Sequence, residues 1–204
     1  MKFDYDKDFV FENDYARLSP LRATYNKALS QISKDTVIWK YLMEDGMSQK
    51  SLDNYLNQAM QERERGVAYP FVVFDKTTQE IAGTTRLYEF NAVLGNVKIG
   101  HTWYGKKSRG RGLNKSVKYL LFEFLFDQLG VARIGFGVHE KNRRSIAALV
   151  KMGISREGAL RKFLPNTLDG AGSQRFDIIL FSLLKGEWDR NVREMLRLAI
   201  TKSG

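Results

Sequence analysis

Gly105-Lys-Lys-Ser-Arg-Gly-Arg-Gly112 stands between a stretch of strand character, Val97 to Tyr104, and the strongest helical pattern in the chain, Gly110 to Gly130. In that pattern Leu113, Val117, Leu120, Leu121 and Phe124 recur at i, i+4, i+7, i+8 and i+11, which is one stripe of an α-helix. Tyr119, Phe122 and Phe126 add apolar surface beyond the stripe, so the helix is expected to be covered on more than one side. A glycine-bearing turn that opens a helix exposes backbone N–H groups without acceptors, and the helix dipole adds positive potential there. That makes a site for a pyrophosphate. Gly110 and Gly112 let a phosphate approach the backbone, and Lys106, Lys107, Arg109 and Arg111 supply neutralising charge. The plainer reading is a flexible basic turn that only caps the helix. A Rossmann-type dinucleotide fold is disfavoured, because the third glycine is missing and the preceding strands read as antiparallel.

Outward from this loop, Tyr69 to Asp75, Ile81 to Phe90 and Val97 to Tyr104 read as a three-strand meander. Before them, Asp14 to Ser19 reads as a strand ending at Pro20. Arg22 to Arg65 reads as helical, with breaks near Lys34 and at Glu44–Ser48, where Ser48 is a plausible N-cap. After the long helix come a strand over Val131–Val138 and a helix over Asn142–Met152 closed by Gly153. Two strands, Ser155–Phe163 and Gln174–Leu184, and a terminal helix over Trp188–Ile200 complete an α+β chain, a mixed sheet flanked by helices. We read residues 1–204 as one domain without repeats or linkers.

Composition narrows the chemistry. Cysteine is absent and only His101 and His139 are present, which argues against disulfides, thiol-bound acyl groups and a multi-histidine metal site, so no metal is expected. No stretch reads as a membrane span or a secretory signal, and a cytoplasmic protein is expected. From Gly105 to Arg175 there are fifteen Lys and Arg against five acids, which accounts for the whole net charge of +10. The partner of that segment is therefore expected to be polyanionic, either a phosphorylated cofactor or a nucleic acid.

With these features the chain resembles the GNAT superfamily of N-acetyltransferases. The frame Lys107-Ser-Arg-Gly110-Arg-Gly112 is similar to the family's pyrophosphate loop, with Lys107 where Gln or Arg is usual. Ile99-Gly-His-Thr-Trp-Tyr104, Leu113-Asn114, Asn142-Arg-Arg-Ser145, Met152-Gly-Ile154, Arg156-Glu-Gly-Ala-Leu-Arg161 and Arg175-Phe-Asp177 resemble the branch of ribosomal-protein alanine acetyltransferases. The resemblance, running from about Phe9 to Trp188, implies a mostly antiparallel central sheet whose strands 4 and 5 splay apart around acetyl-CoA, used as co-substrate. It implies cofactor contacts from Trp103, Tyr104, Lys107, Arg109, Gly110, Arg111, Gly112, Leu113, Asn114, Asn142 and Ser145, with an oxyanion donor N–H within His101–Tyr104.

Direct transfer from a thioester to an amine needs a neutral amine, a stabilised oxyanion and a proton for the leaving thiolate. In the branch resembled, a serine matching Ser145 is associated with that proton. The tyrosine used by many other members is replaced by Leu149, which cannot donate. The glutamate that many relatives carry beside the strand-4 glycine is also missing, since Lys98 precedes Ile99-Gly100. His101, Glu89 and Asp177 stand in by location, with His101 and Asp177 taken as catalytic candidates. Each has a plainer reading: His101 bonded within the sheet, Glu89 at a solvated strand end, Asp177 paired with Arg175. Likewise Asn142 has an N-capping role open to it, and Ser145 a plain place on the helix surface. Trp39, Tyr41, Tyr88, Trp103 and Tyr104 are available to line an acceptor site, though aromatics at such spacing are more often core. Asp4, Asp6 and Asp8 are the only acidic cluster suggesting a polycationic acceptor. The expected partner is an amine acceptor, a ribosomal or other protein N-terminus or a small molecule, with no membrane partner. The competing class is an inactive GNAT-fold adaptor binding RNA or a ribosomal surface, disfavoured because no aromatic-rich RNA-reading motif accompanies the cations.

Overall fold

The Val- and Phe-rich stretches pair as expected in a computed structural model that describes residues 3–42, 46–165 and 175–201. The strands are β1 (Phe11–Glu12), β2 (Ala16–Pro20), β3 (Ala68–Asp75), β4 (Glu80–Asn91), β5 (Asn96–Tyr104), β6 (Arg133–His139), β7 (Ser155–Pro165) and β8 (Arg175–Leu184). They form one sheet in the order β1-β2-β3-β4-β5-β6-β8-β7. Every neighbouring pair is antiparallel except β5 and β6, which run parallel. The short β1 is an addition to the predicted order, so the family's strands 4 and 5 are β5 and β6 here. Pro20 is the last residue of β2, opposite Phe71, so the strand ends where the proline predicts. Its missing N–H is tolerated because β1 covers only Arg17 and Leu18.

The helices are α1 (Asn26–Ser33), α2 (Thr36–Trp39), α3 (Gln49–Glu64), α4 (Leu113–Glu123), α5 (Arg143–Lys151), α6 (Lys185–Glu187) and α7 (Arg193–Thr201). Ser48 caps α3, its side chain accepting the Ser51 N–H at 3.0 Å while Ser51 Oγ accepts the Ser48 N–H at 3.1 Å. Gly153, at φ 72°, closes α5. The predicted positions Glu44, Asp45 and Gln174 lie outside the described residues.

Two apolar layers hold the sheet. On one face α4, α5 and α7 pack against Leu18, Phe71, Leu87, Val97, Ile99, Ile134, Phe136 and Leu183. On the other, α1, α2 and α3 bring Leu29, Ile38, Trp39, Leu52, Tyr55 and Leu56 over Val72 and Trp103. The aromatic excess of the long helix finds its second cover in Trp188, fully buried, whose ring meets Tyr119, Phe122 and Phe126 at 5.6, 5.9 and 6.0 Å. The helix widens into a π turn over Phe124–Gln128, and a second π turn over Trp188–Val192 joins α6 to α7.

Candidate active site

β5 and β6 share a ladder for only three residue pairs, Asn96–Arg133, Val97–Ile134 and Lys98–Gly135. Both strands continue beyond it, β5 to Tyr104 against β4 and β6 to His139 against β8. A gap therefore opens between two inner strand edges that no longer pair with each other. Each splayed strand then feeds a helix, β5 into α4 and β6 into α5, so two helix N-termini flank the mouth.

The α4 side is built for an anion. Gly112 is the N-cap at φ 86°, a conformation that favours glycine, and it offers no side chain to cap the helix. Lys115 and Ser116 donate back to Gly112 O at 2.9 and 3.2 Å. Among the described residues no acceptor faces the N–H groups of Gly110, Arg111, Gly112, Leu113 or Asn114. A Cβ on Gly110 would meet nothing within 4 Å, so the approach to these amides is open.

The loop cations divide. Lys106 and Arg111 are exposed. Lys107 pairs with Glu80 at 2.9 and 3.1 Å. Arg109 turns inward: its Nε donates to Tyr104 O at 2.7 Å and its guanidinium pairs with Asp35, the N-cap of α2. Burial pushes the Asp35 carboxyl up, but the Val37 N–H and the Arg109 guanidinium outweigh it and hold the group below its ordinary range. Arg109 thus braces the loop against the early helices. Arg133, also within the basic segment, is held by Glu157 at 2.6 Å. Among the described residues, three of the segment's fifteen cations, Lys107, Arg109 and Arg133, are thus paired with acids, while Arg143, Arg144, Arg156 and Arg161 are exposed.

β5 is not a regular strand. Thr84 lies opposite Trp103 but Arg86 opposite Gly100, so His101 and Thr102 together face Thr85. This bulge puts His101 at φ 48° and reverses which side chains face α4. Before it Val97 and Ile99 face that layer; after it Thr102 and Tyr104 do. Tyr104 is buried, with its hydroxyl 3.3 Å from Asn114 Oδ1, and burial drives its phenol well above the ordinary range. Trp103 faces the opposite layer, where its Nε1 donates to Tyr55 Oη at 3.4 Å beside Trp39. His101 meets Tyr88 edge-on at 5.4 Å, and the Tyr88 ring lies where a Cβ on Gly100 would be, 2.8 Å from its Cε1.

On the β6 side, Asn142 caps α5 by accepting the Ser145 N–H at 3.1 Å, which is the capping role left open by the sequence. Ser145 is half-buried in the first turn, while Leu149, one turn on, belongs to the core. Lys98 pairs with Glu89 at 2.6 Å. Asp177 accepts the Lys162 N–H at 2.8 Å, and Arg175 donates to Lys162 O and Phe163 O at 2.6 and 2.9 Å. The two residues therefore grip an irregularity in β7, where Lys162 has φ 53°, instead of pairing with each other. Of the Asp cluster near the start, Asp8 pairs with Arg22 and Arg63, and Asp4 accepts the N–H groups of Asp6 and Lys7.

Two features were not singled out from the sequence. Tyr41, His139 and Phe176 come together at 5.3 and 4.7 Å, joining the early helices to the ends of β6 and β8. Burial holds the His139 imidazole below its ordinary range, with Glu140 acting in the opposite sense. Lys118 on α4 is only 4% exposed, and its Nζ lies 3.3 Å from Thr102 Oγ1. Its signal was present in the sequence, since Lys118 lies between Val117 and Leu121 on the buried side of the helix and one turn after Asn114.

Comparison with known proteins agrees with this architecture. A family model described as an acetyltransferase (GNAT) domain matches residues 16–155. An uncharacterized N-acetyltransferase of Bacillus licheniformis is 29% identical over 123 residues, 60% of this chain and 66% of its own length. The other curated relatives matched are covered over 57% and 56% of theirs, so the aligned stretch is less than two thirds of each. Among solved structures, a GCN5-related N-acetyltransferase from Brucella melitensis superposes with TM-score 0.85 at 23% identity, over 95% of this chain and 86% of its own. The ribosomal-protein-S5-alanine acetyltransferase of Vibrio fischeri gives 0.69 at 18%, over 89% and 99%. RimJ of Mycobacterium smegmatis, in complex with CoA-disulfide, gives 0.75 at 20%, over 94% and 93%.

Proposed function

The chain belongs to the GNAT family of acetyltransferases, and on that footing we propose that it moves the acetyl group of acetyl-CoA directly to a primary amine, that of a protein N-terminus. The observation that carries this reading is the gap between β5 and β6, opened after three residue pairs and headed by the free amides of Gly110–Asn114. Those amides and the α4 dipole hold the pyrophosphate, helped by Lys106 and Arg111. The acyl-pantetheine arm lies along the unpaired β5 edge, where an N–H of the bulge takes the developing oxyanion.

Ser145, in the first turn of α5 at the other side of the mouth, gives its proton to the leaving thiolate, and Asn142 positions the arm beside it. His101 is the base of this scheme, because the Asp177 carboxylate is occupied by the Lys162 N–H. A terminal α-amine titrates at about 8 and needs only modest help to lose its proton. The protein acceptor is supported by the resemblance to the ribosomal-protein branch and by the name of a structural neighbour, a ribosomal-protein alanine acetyltransferase.

The test is release of free thiol from acetyl-CoA with N-terminal peptides, amino acids, polyamines and aminoglycosides offered in parallel. Turnover is expected with peptides. Turnover with a small amine alone would replace the acceptor, and absence of acetyl-CoA binding to folded protein would end the acetyltransferase reading. In the same assay Ser145→Ala is expected to lower kcat about 100-fold with KM little changed. Unchanged kcat would remove Ser145 from the chemistry.

A further inference from the structure

Among the described residues, Lys118 is the one buried charge-bearing side chain that neither the fold nor the scheme above employs. It projects from α4 into the floor of the gap, where its Nζ reaches Thr102 on β5 at 3.3 Å and lies 5.9 Å from the centre of the Phe136 ring on β6. Both residues come after the last β5–β6 pair, Lys98–Gly135, so the amine bridges the two splayed strands from below. Among the described residues Thr102 Oγ1 is its only hydrogen-bond partner, although an ammonium carries three donors. Thr102 in turn bonds Thr85 Oγ1 at 2.7 Å. One turn back on the same helix face, Asn114 meets Tyr104. A polar seam thus runs along the otherwise apolar α4 layer, from the free amides at the loop to Lys118. It follows the strand edge that has lost its partner.

We propose that Lys118 is a binding residue for the arm of the acyl-CoA, its ammonium donating to a carbonyl oxygen of the arm inside the β5–β6 gap. The inference rests on the reading of that gap as the acyl-CoA slot. An extended chain bearing amide groups has carbonyls to offer a buried amine whose protein partners engage one of its three donors. Burial alone pulls Lys118 down to about 7, and no charged neighbour contributes. The groups that face it are Thr102 from β5 and Phe136 from β6; Thr85 lies behind Thr102, and the Tyr104–Asn114 pair lies one turn away, and none of these carries charge. An incoming acceptor favours the charged form, so binding is accompanied by proton uptake above pH 7, and affinity falls as pH rises further.

The experiment is calorimetric titration of wild type and Lys118→Met with two ligands, acetyl-CoA and adenosine 3′,5′-bisphosphate, which has phosphates but no arm. Lys118→Met is expected to weaken acetyl-CoA about tenfold or more while leaving the bisphosphate within about twofold of wild type. In two buffers of different ionisation enthalpy at pH 8, wild type takes up close to one proton with acetyl-CoA and the variant takes up none. Equal losses for both ligands, or no loss for acetyl-CoA, overturn the assignment. If Lys118→Met does not fold, Lys118→Leu carries the same comparison of the two ligands. Wild type that binds neither ligand removes the acyl-CoA slot itself, a result distinct from binding that ignores residue 118.

Discussion

Among the described residues, the two faces of the β4–β5 pair bury one cation each and treat it in opposite ways. On the face of the early helices Arg86, 3% exposed, is met by Glu62 at 2.7 Å and lies over the Tyr55 ring at 5.3 Å. On the α4 face Lys118 is as deeply buried and has no acid beside it, only a threonine hydroxyl and the Phe136 ring at 5.9 Å. A cation paired and stacked in this way is part of the framework that fixes α3 on the sheet. An amine without a counter-charge does nothing for stability, since burial disfavours its charged form. Burial of charge alone does not mark a functional group; burial without a counter-charge, beside a gap, is what motivates the proposal for Lys118.

The sharpest break in this comparison is to remove Arg86. Arg86→Met leaves Glu62 beside the core with its partner gone, and unfolding by urea is expected to show a loss of about 3 kcal/mol. The substitution leaves the β5–β6 gap untouched, so acetyl-CoA affinity of the folded fraction is expected to stay within about twofold of wild type. A loss below about 1 kcal/mol would mean that the pair is not a framework element, and the contrast with Lys118 would lose one side.

How far the sequence alone reached follows the same division. The long helix, its second apolar cover and the glycine loop were legible because periodicity and backbone conformation are local properties: the Leu113–Phe124 stripe and the αL position at Gly112 need no tertiary information. The splay of β5 and β6 came only through resemblance, since nothing in either strand's residues states where a ladder stops. The β5 bulge was invisible for a related reason, as an extra residue opposite Thr85 is defined by register with another strand. Side-chain partners were the least legible. Arg109 sat in the loop as a phosphate cation, yet it reaches Asp35, seventy-four residues away, and Asp177 was matched with Arg175 when both grip β7. Lys118 was counted among fifteen cations, and only the folded chain separates it from those at the surface.

A smaller effect tests the other side of the comparison directly, because a buried amine leaves its mark on the pH dependence of stability. Lys118 titrates at about 7 in the folded protein, against 10.5 as its ordinary value. Between those two values the unfolded chain binds the proton that the native state has released, so stability gained from this site rises with pH, by up to about 1.4 kcal/mol per pH unit. Below about pH 7 both states are protonated and the contribution is flat at its least favourable level. Every other titrating group is common to wild type and Lys118→Met and cancels in their difference. Urea unfolding of both proteins at pH 7, 8 and 9 is therefore expected to show wild type gaining on the variant at each step. Arg86→Met, run alongside, is expected to track wild type in parallel, since an arginine stays charged across this range. Parallel curves for wild type and Lys118→Met would show instead that the amine keeps its proton in the fold, and the two cations would then be alike in charge and different only in the acid that Arg86 has and Lys118 lacks.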